Sequence, residues 1–532
     1  MHYIISAMAK EINTAILKLR KRSEKYSTEQ LVNTFVDVGS LFTQLMNNDH
    51  QILYGRRGTG KTHVLKYLCS KIENEGSYPI YIDLRLVGST GGLYSDRTIP
   101  VSERATRLLI DVFSVIHDQI FEFIAEDNRE DVHMGTMGPL LEELATSISE
   151  IKISGEITKE NLVESNIKNS NNVALTLGTA PNIGFTKDCC IGEKIGEKTV
   201  NTGFENHRVH FPSIRVIMSK ILNLIAPHEF WIVLDEWAEI PVELQPFLGD
   251  LLRRCLFPIY GVTVKIGAIE HRSNFKIQKS ISEYIGIETG ADMTSLNLDE
   301  FMVFDNNDYL SIDFFKNLLF KHINSLLPEE QKVKFADELI SNTFTQIPAF
   351  EELVRASEGV PRDAINILVQ AATKAASSNI SIKNIRDASR IWYNRDKEKS
   401  VTSSMEAIKL LRWIIDEVIG KRNARAFLLR TDIENNLIDY LYDARVIHVI
   451  KQSVSSQDTP GIRYNVYSID YGCYVDLINT SRAPQGLFSA ELGEEGEQFV
   501  TVPHNDYRAI RRAVLDLDCF LKRNIVFYCN LL

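Results

Sequence analysis

Apolar positions along this chain follow two rhythms. Short unbroken runs at Ile52-Leu53-Tyr54, Tyr78 to Leu84, Phe230 to Leu234 and Gly261 to Ile269 have the length and composition of buried strands. Between them Val64, Leu65, Leu68 and Ile72 recur at helical spacing over His63 to Glu75. Glu103 to Ala125, Ser213 to Ile225 and Pro241 to Arg254 read as further helices. All-apolar strands of this kind belong at the centre of a parallel sheet covered on both faces, so the pattern predicts an α/β core.

Outside that alternation the pattern is helical. Ile12, Ile16 and Leu19 repeat at helical spacing beside Lys18, Arg20, Lys21 and Arg22, and Leu31 to Leu45 leads into the first strand. From Asp308 to Tyr393 only helices are expected, with Phe314, Leu318 and Ile323 on one and Phe335, Leu339 and Ile340 on another. Residues 394–404 read as a polar linker. Beyond it come a helix (Ala407 to Val418), a strand (Ala426 to Leu429), a helix (Asp432 to Asp443) and strands at Val446 to Lys451 and Arg463 to Ile469, the order of a winged helix. Residues 127–210 are polar and weakly periodic. They read as an insertion, part hairpin and part flexible loop, with Ser147 to Glu156 and Asn172 to Leu177 strand-like. The tail has an acidic stretch, Glu491 to Glu497, then a helix from Asn505 to Arg523. The expected organisation is therefore an N-terminal helical segment (1–30), a core (31–305), a helical lid (306–400), a winged helix (403–480) and a tail (481–532).

Composition changes this picture little. A chain of 532 residues with 44% hydrophobic and 24% charged residues has room for several ordinary cores. The net charge of −11 argues against a surface broadly built for nucleic acid and leaves room for a local basic patch. Seven scattered cysteines without a C-x-x-C read as reduced thiols. No apolar run approaches the ~18 residues of a membrane span. The start of the chain lacks the pattern of a signal peptide, so a cytoplasmic protein without membrane contact is expected.

Two stretches carry candidate chemistry. His50 to Leu68 contains G-x-x-x-x-G-K-T, from Gly55 to Thr62, between a strand and a helix. Such a loop wraps backbone N–H groups around phosphates at a helix N-terminus, and glycine lets the backbone come close. Gly55, Arg57, Gly58, Thr59, Gly60, Lys61, Thr62 and His63 are the candidate nucleotide contacts. The second stretch is the run Phe230 to Leu234, ended by Asp235 and Glu236. Asp235 is suited to orient a metal with Thr62, and Glu236 to act as general base. In the helical region, Gly359 to Leu368 puts Pro361 at a first helical position and Arg362 in the first turn. In the expected winged helix, the recognition helix carries Asp432, Glu434, Asp439 and Asp443, with no Lys or Arg before Arg445. It is a poor groove reader. DNA contact would fall to Lys451 and Arg463, or to Lys421, Arg422 and Arg425; contact with a protein is the competing use.

The order of phosphate loop, acidic-ended strand, further strand, helical lid with G-x-P-R (Gly359, Pro361, Arg362) and winged helix resembles the initiator branch of AAA+ ATPases. These are the origin-recognition-type proteins and their bacterial relatives, and the resemblance spans about residues 25–480. It implies a P-loop NTPase fold, ATP and Mg2+ as cofactors, and ATPase activity. Phosphate contacts would come from Gly55, Gly58, Gly60, Lys61 and Thr62, metal and water handling from Asp235 and Glu236, and a lid sensor from Arg362. It also implies duplex DNA, a protein or further copies of the chain as partners, and a sensor after the strand Gly261 to Ile269. There the chain has Glu270, which is either that sensor or part of a salt-bridged turn. It also departs in having Trp237-Ala238 after the acidic pair and no arginine between Arg272 and Arg355, where an intersubunit arginine finger is sought. Arg253, Arg254 or Arg272 would substitute, or ATP would serve as a slow assembly switch. Two further readings stay open: a signal-sensing ATP switch of a bacterial defence or regulatory system, and a target-selecting ATPase of a transposon.

Overall fold

A computed structural model describes residues 2–87, 94–126, 134–148, 150–154, 157–160, 198–201, 204–280, 283–299, 308–422, 424–433, 435–455, 461–477, 489–492, 498–501 and 514–520. The apolar runs form one parallel sheet of β1 (Gln51–Tyr54), β2 (Tyr78–Asp83), β3 (Phe230–Asp235), β4 (Val262–Ala268) and β5 (Thr294–Asn297), in spatial order β5-β1-β4-β3-β2. Every residue of β3 and β4 is buried, as the unbroken apolar runs demand. Side chains alternate between the two faces. Ile52 and Ile232 join one hydrophobic cluster, while their neighbours Leu53 and Val233 join the other. In parallel register Asp83 lies opposite Asp235, so the carboxyl ends of the strands share one edge, where open α/β sheets bind ligands.

Helix α1 (His2–Leu17) packs on the helical region through Ile12 and Ile16, and Asn13 donates to the carbonyls of Ala376 and Ser378 at 2.9 Å each. Helix α2 (Lys61–Asn74) follows the phosphate loop. Helices α3 (Val101–Glu126), α4 (Met134–Ile148) and α5 (Phe211–Ile225) cover the face that carries Ile52 and Ile232. The region expected as a helical lid contains α6 (Asp308–Asn324), α7 (Ile347–Ser357), α8 (Pro361–Ala375) and α9 (Ile382–Trp392), whose apolar sides join the other face of the sheet in one continuous core. In the C-terminal region, helix α10 (Asn436–Asp443) lies between β6 (Ala426–Arg430) and the antiparallel pair β7 (Ile447–Ser455) and β8 (Arg463–Ile469). The strand order is β6-β8-β7.

Four expectations need correction. The stretch 394–404, expected as a linker, is helical, with a π turn over Tyr393–Lys397 and a helix over Glu398–Thr402. Its charge does not mean solvation: Lys397 is only 1% exposed and pairs with Asp363 and Asp470. The helix expected from Pro241 begins at Gln245 and widens into a π turn at Leu252–Leu256. The helix expected from Asp432 begins at Asn436, because Asn435 caps it by accepting from the N–H groups of Leu437 and Ile438, while Asp432 pairs with Arg430. Of the stretch expected as an insertion (127–210), Met134–Ile148 is instead helix α4 with Met137, Leu141, Leu144 and Ile148 in the core, and the strand-like stretch is Glu150–Ser154 paired with Phe204–Arg208. A second ladder joins Ile157–Glu160 to Lys198–Asn201. The expected strand at Asn172 to Leu177 lies outside the described residues, as does most of the expected tail helix. Among the described residues no helix is long and apolar enough to cross a membrane.

Candidate nucleotide-binding site

The phosphate loop is tied to the sheet at its start, where the Gly55 N–H donates to the Ala268 carbonyl at 3.3 Å. Its turn then needs left-handed backbone: Gly58 has φ 95° and Gly60, which caps α2, has φ 101°. The first N–H groups of α2 have no carbonyl to meet within the helix, so they suit an anion. At Gly58 a Cβ would stand 2.8 Å from Arg362 Cβ, because the first turn of α8 rests on the loop and the Arg362 N–H donates to the Gly58 carbonyl at 3.2 Å. Lys61 curls back, its Nζ donating to the carbonyls of Gly55 at 2.6 Å and Arg56 at 3.2 Å. Burial lowers the pKa of its ammonium, against the pull of Glu236 and Asp235. Thr59 turns its hydroxyl inward to the Arg56 carbonyl at 2.9 Å.

A cavity of about 290 Å³ opens beside the loop, walled by Arg57, Gly58, Gly60, Lys61, Thr62 and His63 but not by Gly55 or Thr59, which shape the loop from behind. Its wall is strongly cationic. Arg20, Lys21 and Arg22 come from the turn after α1, Arg57 and Lys61 from the loop, Arg85 from beyond β2 and Arg362 from the first turn of α8, against only Glu236 and Glu239. Arg57 pairs with Glu239 at 2.6 Å. At the opposite end Tyr26, Leu318, His322 and Ile365 supply a less charged surface. There the Tyr26 hydroxyl lies 3.3 Å from His322 Nδ1, and His63 Nε2–H donates to the Leu31 carbonyl at 2.8 Å. Burial drives His322 down to about 3 and lowers His63 too, so both rings are neutral.

Asp235 ends β3 fully buried. It accepts from the Tyr81 hydroxyl at 2.8 Å and from the Glu236 N–H at 2.8 Å. Gly267 on β4 makes room for it, since a Cβ there would stand 2.7 Å from Asp235 Oδ1. Glu236 adopts left-handed backbone (φ 58°) and is on the cavity wall, its pKa raised by burial and then by the charge of Asp235. Arg85, held mainly by Asp83 at 2.6 Å, has a second nitrogen 3.9 Å from the Glu236 carboxylate. The turn Glu270–Arg272 is not on the cavity wall; it meets α10 instead. His271 lies 3.4 Å from Asp439 and edge-on to Tyr442, and Arg272 lies 3.9 Å from Asp443. Two of the acids expected on the recognition helix, Asp439 and Asp443, thus face His271 and Arg272 of the core. Arg253 and Arg254 both pair with Asp250, at 2.8 Å and 2.7 Å.

The sequence therefore located the loop, Glu236 and Arg362, which the fold brings to one cavity, with Asp235 buried behind it. It did not locate Arg85, Glu239, Leu318, His322 or the turn Arg20 to Tyr26. The basic run at 20–22 was visible, but no spacing rule links it to a loop three elements away.

A parallel sheet with a glycine-rich loop after β1 and acids at the end of β3 defines a P-loop NTPase core of the α/β class. Residues 20–73, which run from the basic turn through the loop and nearly all of α2, match the sequence model of the ORC-CDC6-like family. Among curated proteins nothing matches. Among solved structures the chain is similar to Cdc6p from Pyrobaculum aerophilum, at 12% identity and a TM-score of 0.30, over 88% of this chain and 95% of that one. It is also similar to Orc1 from Aeropyrum pernix in complex with DNA, at 15% identity and a TM-score of 0.30, over 86% and 93% of the two chains. The Drosophila ORC bound to DNA gives 10% identity and a TM-score of 0.30 over 86% and 93%.

Proposed function

We propose that this chain is an ATP-binding and ATP-hydrolysing protein of the AAA+ kind. Nucleotide held between core and lid controls the binding of duplex DNA or a protein partner by a winged helix at about 403–480. The observation that carries this reading is the convergence on one cation-rich cavity of the phosphate loop, Glu236 from the end of β3 and Arg362 from the lid. A surplus of cations around glycine-rich backbone fits a polyphosphate better than any neutral ligand. Gly58, Gly60, Lys61 and Thr62 would hold the phosphates, with Arg57 and His63 flanking them. Thr62 and Asp235 supply the oxygens suited to Mg2+, which when bound neutralises charge developing on the phosphates. A carboxylate oxygen of Glu236 accepts the proton of the attacking water, and Arg362 meets the terminal phosphate from the lid side.

A second reading is favoured by the seat of α10 against His271 and Arg272. With its acids engaged inside the chain, ATP would hold a resting state or an assembly, and a protein would be the partner. ATP hydrolysis with and without duplex DNA, in the wild type beside Lys61→Ala and Glu236→Gln, separates the two. Turnover that rises with DNA and disappears in both variants supports a DNA-coupled ATPase. Tight, Lys61-dependent ATP binding with background turnover in the presence of DNA selects the switch.

A further inference from the structure

We propose that Arg56 is a positioning residue through which the affinity of the phosphate loop for nucleotide depends on docking of the C-terminal region. The proposal rests on the reading of this loop as an ATP site. The motif leaves Arg56 unspecified, yet it is 1% exposed and its polar groups are all engaged. Its N–H donates to Asp299 Oδ2 at 2.9 Å and its Nε to Asp299 Oδ1 at 2.8 Å, a two-point clamp from just beyond β5. The two terminal nitrogens reach outside the core. Nη1 donates to His448 Nδ1 on β7, and Nη2 to the Glu358 carbonyl at 3.4 Å, at the start of the turn that leads from α7 into α8. The guanidinium lies 5.0 Å from the ring centre of Tyr442 on α10, whose hydroxyl reaches Asp299 Oδ2 at 3.4 Å.

His448 fixes this contact by its tautomer. Its Nε2–H donates to Asp470 Oδ2 at 2.9 Å, which leaves Nδ1 as the acceptor that Arg56 needs. Asp470 is also held by Lys397, and Lys397 by Asp363 at 3.1 Å. Asp363 follows Arg362, so the network leaves the phosphate loop, crosses the C-terminal region and returns to the start of the lid helix. None of Arg56, Asp299, His448, Asp470, Lys397 and Asp363 is on the cavity wall.

The consequence for the loop runs through one carbonyl. That of Arg56 accepts from Thr59 N–H at 3.3 Å, Thr59 Oγ1 at 2.9 Å and Lys61 Nζ at 3.2 Å. A residue whose side chain is gripped from another region therefore sets where Thr59 and Lys61 stand. With the C-terminal region docked, the loop is held ready and no binding energy goes into ordering it. Linkage makes the effect reciprocal, so bound nucleotide tightens the docking.

The test is the affinity of the full chain for a fluorescent ATP, with amide exchange of α10 followed with and without ATP. His448→Ala and Arg56→Met should each weaken binding by about tenfold or more, and the double variant no further, as expected of one shared coupling. ATP should slow exchange in α10 of the wild type and leave it unchanged in Arg56→Met. His448→Ala within twofold of wild type, with α10 indifferent to ATP, overturns the proposal. If His448→Ala loses its fold by circular dichroism, Arg56→Lys takes its place under the same limits, because lysine lacks the fork that spans Asp299 and His448. Should the wild type bind no better than Lys61→Ala, the ATP reading itself is wrong and the proposal goes with it.

Discussion

The cavity beside the phosphate loop sets seven cationic side chains against Glu236 and Glu239, whereas the buried cluster behind the same loop matches Arg56, Lys397 and Arg445 with Asp299, Asp363 and Asp470. Arg56 and Arg57 are sequence neighbours that fall on opposite sides of this divide: Arg56 is enclosed, and the side chain of Arg57 is 50% exposed. Buried charges are tolerable only when paired, so the matched cluster holds a geometry. Surplus charge facing a cavity holds nothing by itself and raises the local concentration of anions. Loss of a member should therefore cost stability in one cluster and ligand affinity in the other.

The largest effect is expected in the matched cluster. Asp363→Ala leaves Lys397 and Arg445 facing each other without their shared carboxylate, and chemical denaturation should show a loss of roughly 3–5 kcal/mol. A loss below about 1 kcal/mol would erase the distinction. Next, Lys61→Ala should lower ATP affinity about a hundredfold in a direct binding titration, by removing a charge-assisted contact. The unfolding midpoint should hold or rise, since burial disfavours that ammonium in the absence of phosphate. Glu358→Gln tests the boundary between the clusters. Burial, and then Asp470, push the Glu358 carboxyl up to about 8, and its Oε1 has no hydrogen-bond partner. A carboxyl raised above its unfolded value binds its proton more tightly in the folded state. The wild type should thus lose roughly 2–3 kcal/mol between pH 6 and pH 8, and the glutamine variant should lack that slope in thermal melts across the range. Arg57→Ala should be the mildest change. Unfolding should move by less than about 0.5 kcal/mol and ATP binding weaken by roughly threefold, because an exposed ion pair contributes little.

How much of this was legible in the sequence follows from the range of each interaction. The strands, the loop and the helix start at Pro361-Arg362 come from local pattern, and local pattern survives folding: an all-apolar run has one place to go. The insertion's root was also visible as a strand-like stretch, displaced by a few residues because α4 runs to Ile148. The partners of Arg56 were not visible, since Asp299 lies 243 residues and His448 392 residues away in the chain. Lys397 misled for a related reason. A charged stretch reads as solvated, and only the fold brings Asp363 and Asp470 to it. The acids of α10 stand out in the sequence as ill suited to a DNA groove, while the side chains that meet Asp439 and Asp443, His271 and Arg272, come from a distant part of the chain.

The insertion leaves and re-enters the core through a closed gate. The His210 N–H donates to the Ser147 carbonyl at 3.3 Å, and directly beyond, the backbone of position 150 lies opposite that of position 208 in an antiparallel ladder. The outgoing and returning strands are thus one strand spacing apart, about 4.8 Å. Helices α4 and α5 on either side belong to the core that supports β3. The excursion is therefore a cassette. Its length and content are free to change in evolution, or to be exchanged for another domain at the bench, without moving Asp235 or Glu236.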